Sequence, residues 1–273
     1  MAGGAGAASG LLSFTAVVAP GLVGLVQGYV ADAYGLRATA ILAAVAIGLA
    51  VGGAACWLPS VPAAVAGSHH NAWLAYGRVM RDRPVQALML VRAASSVAFG
   101  VFALLAGPRL VAASGGLTAV GQLVLIGSLG GAAAQIGIGR LSDAIGRRGV
   151  LLLVTVLGAG APVLFGMATG VPTLLLISAA FYLSAWASQT LVVALGGDLA
   201  RPGTVDQVMS LDSSVFSWGV VVAAILVLAF GASNPAAAFV LGGAANVLGI
   251  VALPFARRPA TVRGRETAAM VDP

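Results

Sequence analysis

Apolar residues in this chain come in long, nearly unbroken runs separated by short polar segments. A helix needs about 20 apolar residues to cross a hydrocarbon core. Eight stretches reach or approach that length: Leu11–Val30, Ala38–Leu58, Val85–Gly107, Thr118–Ile138, Gly149–Met167, Pro172–Leu195, Ser214–Ala232 and Pro235–Ala256. Only helices or closed barrels satisfy their backbone polar groups in lipid. The runs are too continuous for barrel strands, which alternate over about ten residues. The pattern therefore predicts an all-α polytopic membrane protein with about eight transmembrane helices. Pro172 and Pro235 stand where a first-turn proline is tolerated, and Asp212 and Ser213 are placed to cap the seventh span. Pro20 and Pro162 lie inside spans and should kink them.

Charge fixes an orientation. Only 8% of the 273 residues are charged and 60% are apolar, whereas soluble domains carry about 25% charged residues. All 14 basic residues are arginine. Arg78, Arg81, Arg83, Arg92, Arg140, Arg147, Arg148, Arg201, Arg257, Arg258, Arg263 and Arg265 fall on one side of the alternating spans, and Arg37 and Arg109 on the other. The rich side should be cytoplasmic, which puts both termini inside and the protein in the plasma membrane. A pI near 10.7 raises nucleic acid as a partner, but the arginines sit between apolar runs rather than along a polar face, so no nucleic acid is expected. Cys56, the single cysteine, lies in an apolar run, which leaves no disulfide or cysteine metal site. Residues 1–10 lack the basic start of a signal peptide, so the first run reads as a span.

The longest connection is expected to be a cytoplasmic linker over 59–84. Its second half, HHNAWLAYGRVMRDRP, places Trp73, Tyr76 and Met80 on one face of an interfacial amphipathic helix. His69 and His70 have no third ligand near them and read as solvated polar residues.

Between the fourth and fifth runs stands Gly139-Arg140-Leu141-Ser142-Asp143-Ala144-Ile145-Gly146-Arg147-Arg148. A carboxylate beside a Gly-Arg-Arg turn is expensive to keep near lipid without a partner. The positive-inside rule accounts for the two arginines but not for Asp143 or the glycines. The segment resembles the cytoplasmic-loop signature of the major facilitator superfamily at Gly139, Leu141, Asp143, Gly146, Arg147 and Arg148, with Ala144 in place of a usual basic residue. The resemblance implies a conformational latch, in which the glycine allows close helix packing and the aspartate pairs with basic residues and a neighbouring helix N-terminus.

A weaker echo, Gly28-Tyr29-Val30-Ala31-Asp32-Ala33-Tyr34-Gly35-Leu36-Arg37, lies three spans away and so on the opposite face. It fits the family's turn between helices five and six. The chain then resembles family helices five to twelve, a partial major-facilitator fold: 1–58 as the end of the N-terminal half, 59–84 as the linker between halves, 85–256 as a six-helix C-terminal half, and 257–273 as a cytoplasmic tail.

Family transporters bind substrate near the midplane between their halves. Tyr182, Trp186 and Gln189 share one face of the sixth span by their spacing, and with Gln122 and Trp218 they are the candidates for a substrate cavity; Ser214 and Gln27 extend the set. Arg92 is expected to snorkel to the interface, the other reading being contact with an anionic substrate. No acid stands at mid-span, so the carboxylate for a coupling proton would belong to helices outside this match. Gly24 and Gly28, Gly48 and Gly52, and Gly127 and Gly131 have the spacing of close helix packing. Neither the Pro-Glu-Ser-type nor the Pro-Glu-Thr-type signature of sugar uptake is visible. The implied function is alternating-access transport of small organic molecules, with export favoured, and no cofactor or metal. Lacking four family helices, the chain by itself is expected not to transport, and a non-transporting fragment or interaction partner is the other possibility. No catalytic motif supports an enzyme.

Overall fold

The computed structural model describes residues 21–57, 76–77, 79–201, 203–231 and 233–257. Among them there is no strand. The helices are α1 (21–34), α2 (Leu36–Trp57), α3 (Arg83–Ser114), α4 (Thr118–Ile145), α5 (Arg147–Met167), α6 (Val171–Leu199), α7 (Val205–Leu226, continued by a π turn Val227–Gly231) and α8 (Pro235–Ala252, continued by a 3-10 turn Leu253–Phe255). Each apolar run, over its described residues, falls on a helix of its own. Five helices, α3, α5, α6, α7 and α8, are long and apolar enough to span a membrane. The protein is an all-α polytopic membrane protein. Pro20, His69, His70 and Trp73 lie outside the described residues.

Helix ends follow local chemistry. Pro84, Pro172 and Pro235 occupy first-turn positions, where the missing N–H costs nothing. Asn234 Oδ1 accepts from Ala237 N at 3.0 Å and caps α8. Gly115 closes α3 in the left-handed conformation (φ 75°) with its N–H on Val111 O, an αL cap. Gly146 (φ 91°) turns the chain from α4 into α5 in a single residue. Such short connections make neighbours antiparallel.

Two boundaries differ from expectation. α3 runs through Gly107 and Pro108 to Ser114, so Arg109 is helical rather than in a loop. Its guanidinium donates to the carbonyls of Phe165 (3.1 Å), Gly166 (2.9 Å) and Ala168 (2.8 Å). Those are the orphan acceptors at the end of α5, where a cation also meets the negative end of the helix dipole. α7 begins at Val205, so Asp212 lies two turns inside the helix and is buried. It does not cap the span, because the polar stretch ahead of it is already helical.

α3 is central, packing on α7, α8 and α6, while α4 packs on α6 and α5 on α8 and α6. One apolar cluster gathers Leu88, Val150, Leu191, Val208 and Ala256. The other is aromatic: Phe102 stacks on Phe181 (centroids 4.0 Å apart) and meets Phe165 and Phe239 at 4.8 and 6.0 Å. The alternation of helices gathers Arg81, Arg83, Arg147, Arg148, Arg201 and Arg257 at one end of the bundle, and contacts such as Arg201 Nε–Asp82 Oδ2 (3.4 Å) join the helices there.

Candidate functional site

Between α3 and α7 lies an ion pair removed from water. Arg92 follows the start of α3 by nine residues, about 13 Å of helix, and Asp212 follows the start of α7 by seven. Arg92 Nε stands 3.1 Å from Asp212 Oδ1, and the two side chains are 5% and 8% exposed. Neither atom makes a hydrogen bond. The attraction is therefore Coulombic, without the directed N–H···O geometry that would offset desolvation best. The guanidinium carbon also lies 4.6 Å from the centroid of the Phe216 ring, a cation–π contact. Arg92 thus does not snorkel: a carboxylate on the next helix holds it inside. Asp212, expected near a span end, is buried two turns inside α7.

Local sequence brings the pair together. Val208, Asp212, Gly219 and Ala223 are the buried residues of α7 and share one face. Gly100 faces Ala223 so closely that an added Cβ would lie 2.6 Å from its methyl, and Gly219 admits Ser96 with Ala93 O 3.1 Å from where its Cβ would be. Small residues thus let the backbones approach. Ser96 Oγ donates to Arg92 O at 2.7 Å, and Ser95 Oγ and Ser188 Oγ are 3.4 Å apart, joining α3 to α6. From Phe216 the rings continue through Phe99 (5.7 Å) to Tyr182 (6.4 Å, edge-on).

The sequence-derived cavity residues spread over four helices, with Gln27 half-buried on α1. Tyr182 is half-buried among Phe99, Phe102 and Phe181. Trp186 is half-buried against the first cluster, and Gln189 is half-buried on the same helix. Gln122 is exposed on α4, Ser214 is exposed on α7, and Trp218 is 70% exposed there. The structure joins Tyr182, through Phe99 and Phe216, to the ion pair.

At the turn between α4 and α5, Arg147 Nη1 donates to Asp198 Oδ2 at 2.7 Å and to Ala194 O at 3.3 Å. The Gly-Arg-Arg turn is thereby tied to the end of α6. Leu141 and Arg148 are exposed, and Gly146 supplies the positive φ. The side chains of Arg140 and Asp143, and the surroundings of Gly139, lie outside the described residues. Sequence reasoning misses Asp198, although it is an acid at the end of the sixth run on the arginine-rich side.

No protein-family model and no curated protein sequence matches this chain. The family resemblance therefore rests on the residues quoted for it.

At the opposite end, Asp32 of α1 reaches the start of α4. Its carboxylate accepts from Leu117 N (2.6 Å), Thr118 N (2.7 Å) and Thr118 Oγ1 (2.5 Å). Leu117, at the N-cap position, has no side chain able to cap, so the cap comes from another helix. Below it α1 and α4 interlock through glycines: a Cβ on Gly28 would meet Leu117 O at 2.8 Å, and one on Gly24 would meet Val124 at 2.6 Å. Gly127 likewise seats Tyr182, whereas no described residue comes within 4 Å of a Cβ added at Gly48 or Gly52, so that second pair packs against none of the described residues.

The Thr118 hydroxyl first, then the two backbone N–H groups, hold the Asp32 carboxyl below its ordinary value. A depressed folded-state pKa contributes stability above the unfolded pKa of about 3.9, and that contribution is lost as pH falls through the folded value. The α1–α4 contact is therefore expected to be tight at neutral pH and to loosen in acid below the ordinary aspartate range. Spin labels on Tyr34→Cys and Ala113→Cys, in a Cys56→Ser background, should give a narrow short-distance component at neutral pH that is lost in acid, and Asp32→Asn should lack it throughout. Distributions that Asp32→Asn leaves indistinguishable from those of the unsubstituted labelled protein would remove Asp32 from the contact.

Proposed function

We propose that this chain works as a secondary active transporter of major-facilitator type, moving small organic molecules by alternating access and most readily exporting them. The observation that carries this reading is the Arg92–Asp212 pair. Ionisable residues are costly at membrane depth and mark substrate or ion pathways when they face a bundle interior. The latch-like segment with Arg147 tied to Asp198 supports it, as does the opposing tie of Asp32. Two small contacts at opposite ends, one between the consecutive helices α5 and α6 and one between α1 and α4, are what a molecule needs if it opens to either side in turn. In this reading the arginine-rich end and both termini are cytoplasmic, in the plasma membrane.

A second reading, a non-transporting membrane fragment or interaction partner, is favoured by α2, whose Ile41, Val45, Ile47 and Leu49 are all more than half exposed. The labels at Tyr34 and Ala113, read in liposomes, separate the two. Alternating access requires two distance populations whose ratio changes when a transported compound from a panel is added. One population, unmoved by any compound, would favour the second reading.

A further inference from the structure

We infer that the Arg92–Asp212 pair is an exchange site for a proton and a small organic carboxylate taken up together, the proton on Asp212 and the carboxylate on the Arg92 guanidinium. This rests on the transport reading. Its basis is charge balance. Arginine keeps its proton, so neutralising Asp212 alone would leave a buried cation uncompensated, which is costly. A carboxylate arriving alone would leave Asp212 uncompensated. Only the two together keep the sum at zero.

The local geometry favours that exchange. Arg92 is the one charged group acting on Asp212 among the described residues. The acid next to it on α7, Asp206, is exposed, and α6 presents the hydroxyl of Ser188 to Ser95 rather than a charge. The Nε–Oδ1 contact has no directed hydrogen bond to lose, whereas a free carboxylate could take the guanidinium fork through two parallel N–H···O bonds. Phe216 lies under the guanidinium and Phe99 and Tyr182 continue that wall. The complementary ligand therefore has a carboxylate on an apolar, preferably aromatic, body. α7 is the least covered of the spanning helices, with 17% of its span buried, and its exposed Ser213, Ser214 and Ser217 lie next to the pair's face. Admitting a ligand to the pair requires a shift of α7 away from α3.

The test is equilibrium binding of benzoate to the full chain in detergent, with benzamide as the uncharged isostere and choline as a cation, above about pH 5.5 where benzoate is ionised. One proton per carboxylate requires wild-type affinity to rise about tenfold for each pH unit of acidification. Asp212→Asn, which leaves the arginine without its partner, should bind benzoate tightly and without pH dependence. Arg92→Gln, and the charge-neutral double variant R92Q/D212N, should not bind it. The double variant keeps the comparison decisive if the single Arg92 change fails to fold. Wild-type binding without pH dependence, equal binding by the double variant, absence of saturable benzoate binding in both wild type and D212N, or choline binding lost in D212N would each overturn the inference. Because the assay needs no flux, benzoate binding as expected with a single, unmoved distance in liposomes would sink the transport reading alone.

Discussion

Asp212→Ala is expected to cost the folded bundle about 3–5 kcal/mol, the penalty of leaving a buried arginine without its counter-charge. R92M/D212L, which replaces both ions by apolar groups, should recover most of that loss. The asymmetry follows from the geometry: two ions taken out of water at 5% and 8% exposure, 3.1 Å apart, with no hydrogen bond between the facing atoms. Their mutual attraction offsets much of the desolvation, but not with the surplus a bidentate pair would give. The pair is thus poor as a stabilising device and strongly coupled as a charge device. Reversible unfolding in mixed micelles of R92M, D212L and R92M/D212L measures the coupling. A coupling near zero would mean the two charges do not meet. Benzoate should also restore part of the stability lost in Asp212→Asn, since a ligand that binds only the folded state stabilises it.

The second large effect is expected at Gly121. An added Cβ there would lie 2.8 Å from Gly24 O, 3.0 Å from Leu25 Cα and 3.1 Å from Leu25 O. These are backbone atoms of α1 and cannot rotate away, so Gly121→Val must push α1 off α4. Overpacking of this kind costs about 1–3 kcal/mol, and here it should also broaden the Tyr34–Ala113 label distance. Gly48→Ala is the control. No described residue lies within 4 Å of its added methyl, and replacing a mid-helix glycine should stabilise by about 0.5–1 kcal/mol. If Gly121→Val left the label distance and the unfolding midpoint unchanged, the close α1–α4 approach would be wrong.

Periodicity and charge make much of this architecture readable without coordinates. Runs of about 20 apolar residues have few alternatives in lipid, and Pro172 and Pro235 mark helix starts by backbone chemistry alone. The arginine asymmetry reappears as one arginine-rich end of the bundle. The site is less legible, for a specific reason. The segment DQVMSLDSS has enough polar residues to pass for a loop, which starts the seventh span at Ser214 and makes Asp212 look like a cap. The signal against that is present: Val208, Asp212, Gly219 and Ala223 fall on one helical face, which makes Asp212 a member of a packing stripe. With its partner assigned to a cap, Arg92 looks solvent-seeking. Asp32 stands out in the sequence only as an echo of the Gly-Arg-Arg loop. Its seat on the N–H groups of Leu117 and Thr118 depends on a contact 85 residues away that spacing alone does not encode.

α2 has a consequence of a different kind. Its Ile41, Val45, Ile47 and Leu49 are all more than half exposed, so neighbouring side chains among the described residues hold little of its tilt. Twenty-two residues make a rod of about 33 Å, slightly more than a typical hydrocarbon layer of about 30 Å, and such mismatch is relieved by leaning. If α2 crosses the bilayer, as its apolar run leads one to expect, it should lean over in thin bilayers and stand upright in thick ones, and Gly35, the single residue that joins it to α1, would carry that angle to the carboxylate three positions away. Lipid chain length would then act on the Asp32 contact as pH does, with no ligand involved.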